Sequence, residues 1–181
     1  MENKNLEKRL YFLTMYNISP IQQGIQCGHA QMEYALQYWK DSDFKDWAEN
    51  WKTWIILNGG TSNDGFGVRA ALGSMETHLQ SLKDAGIKCA PFNEPDLNWS
   101  LTAIAFLVDE RVFNNEDYPD LMVFCKDKMV NTAWLSVFKN GPFDIDEFKL
   151  KWPELYKEWV EFIGGEKIAF LKFFVKQFRL A

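Results

Sequence analysis

At 181 residues the chain is long enough for one domain with an appendage and a sizeable buried core. Its hydrophobic share of 47% is ordinary and its aromatic share of 16%, with eight Trp, is high. A net charge of −5 and a pI of about 5.1 exclude nucleic-acid binding by overall charge, though not through a local basic face. Cys27, Cys89 and Cys125 are odd in number and lack metal-ligand spacing, and MENKNLEKRL lacks a signal peptide's apolar core. With no apolar run of membrane-spanning length, the expectation is a cytoplasmic protein in a reducing compartment, using no cofactor and no metal.

Residues 9–16 (LYFLTMY at their centre) read as a buried strand. Helix 20–39 follows, with Ser19 as N-cap, Pro20 at the first helical position and Gln22 placed for a capping box. Ile21, Ile25, Gly28, Met32, Ala35, Leu36 and Trp39 recur at helical spacing and predict the buried stripe, with Gly28 letting the helix approach a sheet closely. Residues 42–52 form a short amphipathic helix through Phe44, Trp47 and Trp51, and 53–57 (TWIIL) a strand. A glycine-rich connection spans 58–74. Helix 75–85 faces inward with Met75, Leu79 and Leu82, strand 87–92 follows, and 93–100 (NEPDLNWS) is an acidic turn before the nearly all-apolar strand 101–108. Interleaved helices and strands predict an α/β class, a three-layer α/β/α sandwich with a four-stranded mixed sheet. Beyond residue 115 the character is helical and aromatic: 120–140, short helices in 143–162 interrupted at Pro153, and a final helix over 166–180. Residues 1–115 thus read as the α/β domain and 116–181 as a helical extension packed on it.

Several residues carry chemistry. Glu94 or Asp96, on either side of Pro95, can serve as general base for a water, or be an Asx-turn residue and a solvated charge. Gln22, Gln23 and Gln26 can hydrogen-bond a ligand at the helix N-terminus, where amides favour anions, with the capping box as the competing role of Gln22. Asn98 and Trp99 adjoin the acidic turn, and Trp99 can stack on a base or pack under the loop. Gly59, Gly60 and Thr61 can offer amides to a phosphate, although the stretch lacks the Walker lysine and the dinucleotide fingerprint. His29, in mid-helix, reads as a structural histidine, Cys27 as a buried thiol and His78 as an exposed helix residue. Lys167, Lys172, Lys176 and Arg179 read as a solvated face that can also contact RNA phosphates.

Gln26-Cys27-Gly28-His29-Ala30 on the first helix, and Glu94-Pro95-Asp96 ahead of Thr102 on an apolar strand, resemble the type II peptidyl-tRNA hydrolase superfamily. A divergent bacteriophage-type branch is more similar still, through Ser19-Pro20, Gln22-Gln23, Trp54, Gly59-Gly60-Thr61, Gly86-Ile87-Lys88 and Leu101-Thr102-Ala103. The resemblance covers about 9–110. It implies a four-stranded mixed sheet with helices on both faces and hydrolysis of the ester of peptidyl-tRNA. The site would lie between the start of the first helix and the acidic turn, with Glu94, Asp96 and Gln22 as catalytic residues and Thr102 as a binding residue. Gln22 stands where the family carries a lysine. The alternatives are a catalytically inactive nucleotide- or RNA-binding protein on the same fold, one that sequesters a signal nucleotide, or an oligomeric interaction protein. The partners so implied are tRNA or a nucleotide, a second copy in a homodimer, and a host protein engaged through 116–181.

Overall fold

Four strands carry the apolar runs of the first 110 residues. The computed structural model describes residues 5–62, 73–126, 128 and 144–181. β1 (Lys8–Met15), β2 (Thr53–Gly60), β3 (Cys89–Glu94) and β4 (Ser100–Asp109) form one mixed sheet in the order β2-β1-β4-β3. β1 and β2 run parallel, whereas β4 is antiparallel to both β1 and β3. The central pair, β1 and β4, is buried almost throughout, which is why those stretches read as continuous apolar runs.

One face of the sheet presents Leu10, Phe12, Ala90, Ala103 and Ala105 to α1 (Pro20–Tyr38), which answers with Cys27, Ala30 and Tyr34. Phe44 of α2 (Ser42–Asp46) and Trp47 complete that layer. The chain from Trp47 to Trp51 winds as a π-turn, with Lys52 N–H donating to the Trp47 carbonyl at 2.9 Å, so the predicted single helix 42–52 changes pitch midway. The other face is covered by α3 (Ser74–Asp84), through Met75 and Leu82, and by Phe174, whose ring meets Phe106 edge-on at 6.0 Å. The α/β class with a mixed four-stranded sheet and a helical C-terminal region is therefore observed.

The predicted stripe of α1 points the wrong way. Ile21, Ile25, Met32, Leu36 and Trp39 are exposed, and a Cβ on Gly28 would meet nothing within 4 Å. Close helix–sheet approach comes instead from small residues on the facing surfaces: alanines on β3 and β4, and Cys27 with Ala30 on the helix. β2 also runs on to Gly60, so the glycine pair belongs to the strand and not to the connection.

The described residues divide into two units, Met1–Glu110 with Phe174–Ala181, and Arg111–Phe173. The boundary thus falls five residues before the one read from sequence, and the last eight residues belong with the sheet. Their backbone pairs along the outer edge of β2: Asn58 N–H donates to the Arg179 carbonyl at 2.9 Å and Ala181 N–H to the Ile56 carbonyl at 3.1 Å. That covers one open edge; the other, β3, carries Pro91, which has no N–H to offer a further strand. His78, expected exposed, lies edge-on to Phe174 and Phe178, at 5.9 and 4.7 Å.

The second unit contains most of α4 (Glu110–Phe113), then α5 (Leu121–Lys126), α6 (Ile145–Lys151), α7 (Pro153–Ile163) and most of α8 (Glu166–Val175). Leu121, Cys125, Phe148, Trp159 and Ile163 are its core. Lys172, expected on a solvated basic face, is 1% exposed: its ammonium donates to the Val112 carbonyl at 3.3 Å and Asn115 Oδ1 at 3.0 Å, with Asp120 at 3.5 Å. A buried ammonium needs such a full set of partners. The predicted helix 120–140 is observed as α5 alone; its remainder, save Lys128, lies outside the described residues, as do Gly141 and Pro142. No helix among the described residues is long and apolar enough to cross a membrane.

Candidate functional site

All the polar candidates of the first 110 residues collect at one end of the sheet. β1 and β2 finish there at Met15 and Gly60, β3 finishes at Glu94, and β4 begins at Ser100, opposite Glu94. The two outer corners, on β2 and β3, are three strand spacings apart, about 14 Å.

At the β3 corner, Gln26 joins the helix to the sheet. It is buried; its Nε2 donates to Glu94 Oε2 at 2.6 Å and its Oε1 accepts from the Thr102 hydroxyl at 2.7 Å. Thr102 reaches the α1 side because of a bulge. The ladder steps from Phe92↔Ala103 to Asn93↔Leu101, leaving Thr102 as the extra residue of β4. Strict alternation would have turned its side chain to the face opposite Ala103. The Phe92 carbonyl, at 3.3 Å, is a second acceptor for the same hydroxyl, and the Thr14 hydroxyl donates to the Thr102 carbonyl at 3.2 Å. The Cys27 thiol sits beside Thr14 in this layer, and burial pushes it up to about 12, which makes it inert as a nucleophile.

The Glu94 side chain is 15% exposed. His29 Nδ1 lies 4.0 Å from Glu94 Oε2 and its ring packs edge-on to Phe92 at 4.5 Å, with 46% of the side chain exposed. The mid-helix histidine is therefore at the rim of the acidic corner. Sequence spacing contained the signal: His29 follows Gln26 by three residues, one helical turn, so a partner of one is in reach of the other.

Pro95–Leu97 forms a single 3₁₀ turn, closed by Trp99 N–H donating to the Glu94 carbonyl at 3.0 Å and by Asn93 Nδ2 donating to the Trp99 carbonyl at 2.8 Å. Asp96 is exposed; its backbone N–H lies 3.4 Å from Glu94 Oε1, so of the two acids only Glu94 meets the helix. Asn98 and Trp99 are both left-handed, at φ 53° and 59°. A bulky aromatic residue there is rare and strained by roughly 1–2 kcal/mol, and Trp99 is also 68% exposed. An exposed indole thus stands on the turn that follows Glu94.

Gln22 and Gln23 stand further along the helix start. Gln22 closes the capping box, its Oε1 accepting from Ser19 N–H at 3.0 Å while its own N–H donates to Ser19 Oγ at 3.3 Å. Gln23 Nε2 donates to the Met15 carbonyl at 3.0 Å and fixes the β1–α1 turn. At the β2 corner, Gly60 N–H donates to Asn58 Oδ1 at 3.0 Å and Thr61 N–H to Ser74 Oγ at 2.8 Å, while Ser74 Oγ donates to the Gly59 carbonyl at 2.9 Å. Of the three amides expected to cradle phosphate, those of Gly60 and Thr61 are engaged within the chain. Both glycines are required by packing: a Cβ on Gly59 would fall 2.3 Å from Met75 Sδ, and one on Gly60, at φ +90°, 2.0 Å from Ser74 Oγ.

Among the described residues no three His, Cys, Asp or Glu side chains converge as metal ligands would. Comparison with known protein families and with curated proteins finds no match for this chain.

Proposed function

We propose that this protein hydrolyses the ester joining a peptide to the terminal ribose of tRNA, with Glu94 as general base. The reading is carried by one observation: a carboxylate pinned by Gln26 on a side chain that is 15% exposed, with an imidazole 4.0 Å away and an exposed tryptophan of left-handed backbone on the same turn. Glu94 takes a proton from a water whose oxygen bonds the ester carbonyl carbon. The carbon–oxygen bond to the ribose then breaks, and the proton passes to the departing ribose oxygen by way of His29. Gln26 and Thr102 act behind Glu94 as positioning residues. Trp99 offers its face to the terminal base, with Asn98 and the free amide nitrogen of Gln22 along the rim. Three buried thiols and a substrate of the translation apparatus fit a reducing cytoplasm.

The test is release of peptide from N-acetyl-aminoacyl-tRNA by the purified full chain. Ester cleavage that Glu94→Gln slows supports the reading, and no cleavage above the spontaneous rate overturns it. The capping role of Gln22, at the position of the family lysine, favours a second reading in which the same corner holds a nucleotide or RNA end without turnover. Thermal stabilisation by a nucleotide that is recovered intact selects that reading.

A further inference from the structure

α1 is apolar on two opposite sides. At about 100° per residue, Ile21, Ile25, Gly28, Met32, Leu36 and Trp39 all lie within roughly 60° of the point opposite the buried Ala30. The five side chains are between 50% and 77% exposed. We infer that this outer face of α1 is the interface of a two-fold dimer in which α1 packs antiparallel on the α1 of a second copy.

Self-complementarity points to a second copy as the occupant. A two-fold contact needs a patch that matches its own rotated image. Rotation about a point between Gly28 and His29 sets Ile21 against Leu36 and Ile25 against Met32. Apolar residues therefore meet apolar residues on both sides of the axis, where Gly28 faces His29 of the second copy and brings no side chain of its own. Charge raises no obstacle: Glu33 is the one formal charge within α1, and the rotation sets it against Gly24. The size also suits. Five such side chains expose on the order of 600 Å² of largely apolar surface, the upper end of what a monomer leaves bare. Two copies would bury about 1,200 Å², above the roughly 1,000 Å² that marks a specific interface.

Sedimentation of the full chain tests this without any ligand, so its outcome is independent of whether the ester is cleaved. The expected result is a concentration-dependent doubling of mass with a dissociation constant in the micromolar range. Ile25→Glu and Met32→Glu should each leave a monomer with unaltered thermal midpoint, because both positions are exposed on the single chain. Gly28→Cys places a thiol beside its own symmetry mate, and its Cβ is sterically free, so the variant should oxidise to a disulfide-linked dimer. Gly24→Cys, some 13 Å from its mate along the axis, should not. Cys27, Cys89 and Cys125 are buried and do not compete. A chain that stays monomeric at about 200 µM, far above a micromolar constant, overturns the inference. So does a dimer indifferent to both glutamate variants, or cross-linking as fast at Gly24→Cys as at Gly28→Cys.

Discussion

The two outer corners at one end of the sheet are built from different residues and do opposite things. The β2 corner is rich in glycine, serine and threonine, yet the Gly60 and Thr61 amides and the Ser74 hydroxyl have acceptors in the chain, and both glycines are there because a Cβ would not fit. The β3 corner has no glycine, leaves part of the Glu94 side chain and much of His29 exposed, and tolerates two left-handed residues in succession, one of them a tryptophan. Small residues signal close packing when their hydrogen bonds are satisfied internally. Strain in a bulky, exposed residue is the better pointer to a site, since nothing in packing requires it.

The contrast can be broken most directly at Glu94. Glu94→Gln keeps an acceptor for Gln26 and should lower ester release at least ~100-fold, with the urea midpoint nearly unchanged. A large loss of stability instead would make the β3 corner structural like its counterpart. At the β2 corner Gly59→Ala should do the reverse, destabilising by about 1–3 kcal/mol through contact with Met75 and Leu13, while ligand affinity of the folded fraction stays constant. Trp99→Gly sharpens the comparison because its two effects have opposite signs. Relief of the left-handed backbone should raise stability by roughly 0.5–1 kcal/mol, and loss of the stacking face should weaken RNA binding, both readable from one set of melting curves with and without ligand. The smallest effect belongs to His78. Burial holds its imidazole below the ordinary histidine range, so the folded chain takes up the proton less readily than the unfolded one. Its stabilising contribution is present above about pH 6.5 and is lost as pH falls below that value. His78→Phe should flatten that part of the urea-midpoint profile between about pH 7.5 and 5.

Much of this was legible in the sequence. Periodicity and capping placed the β1 and α1 stretches within a residue of where they lie, because Ser19, Pro20 and Gln22 act locally and a fully apolar strand needs burial on both faces. The resemblance gathers Glu94 and Thr102 at one site beside the first helix, but the direct bonds of Gln26 to both are not legible in the sequence. They depend on a bulge in β4 that turns Thr102 toward the helix, and a bulge is decided by pairing between strands, not by either strand alone. His29 was read as structural for the same reason, since its nearness to Glu94 spans 65 positions of chain.

The amino-acid sequence by itself determined the class of fold and the start of the first helix, because hydrophobic spacing and cap chemistry operate over a few neighbouring residues. The tertiary structure alone decided which face of that helix is buried. The larger apolar stripe lost to the face bearing Gln26, Cys27 and Ala30, since contact with a sheet surface of alanines favours small side chains. A buried glutamine bridging a carboxylate and a hydroxyl can be satisfied only on that side.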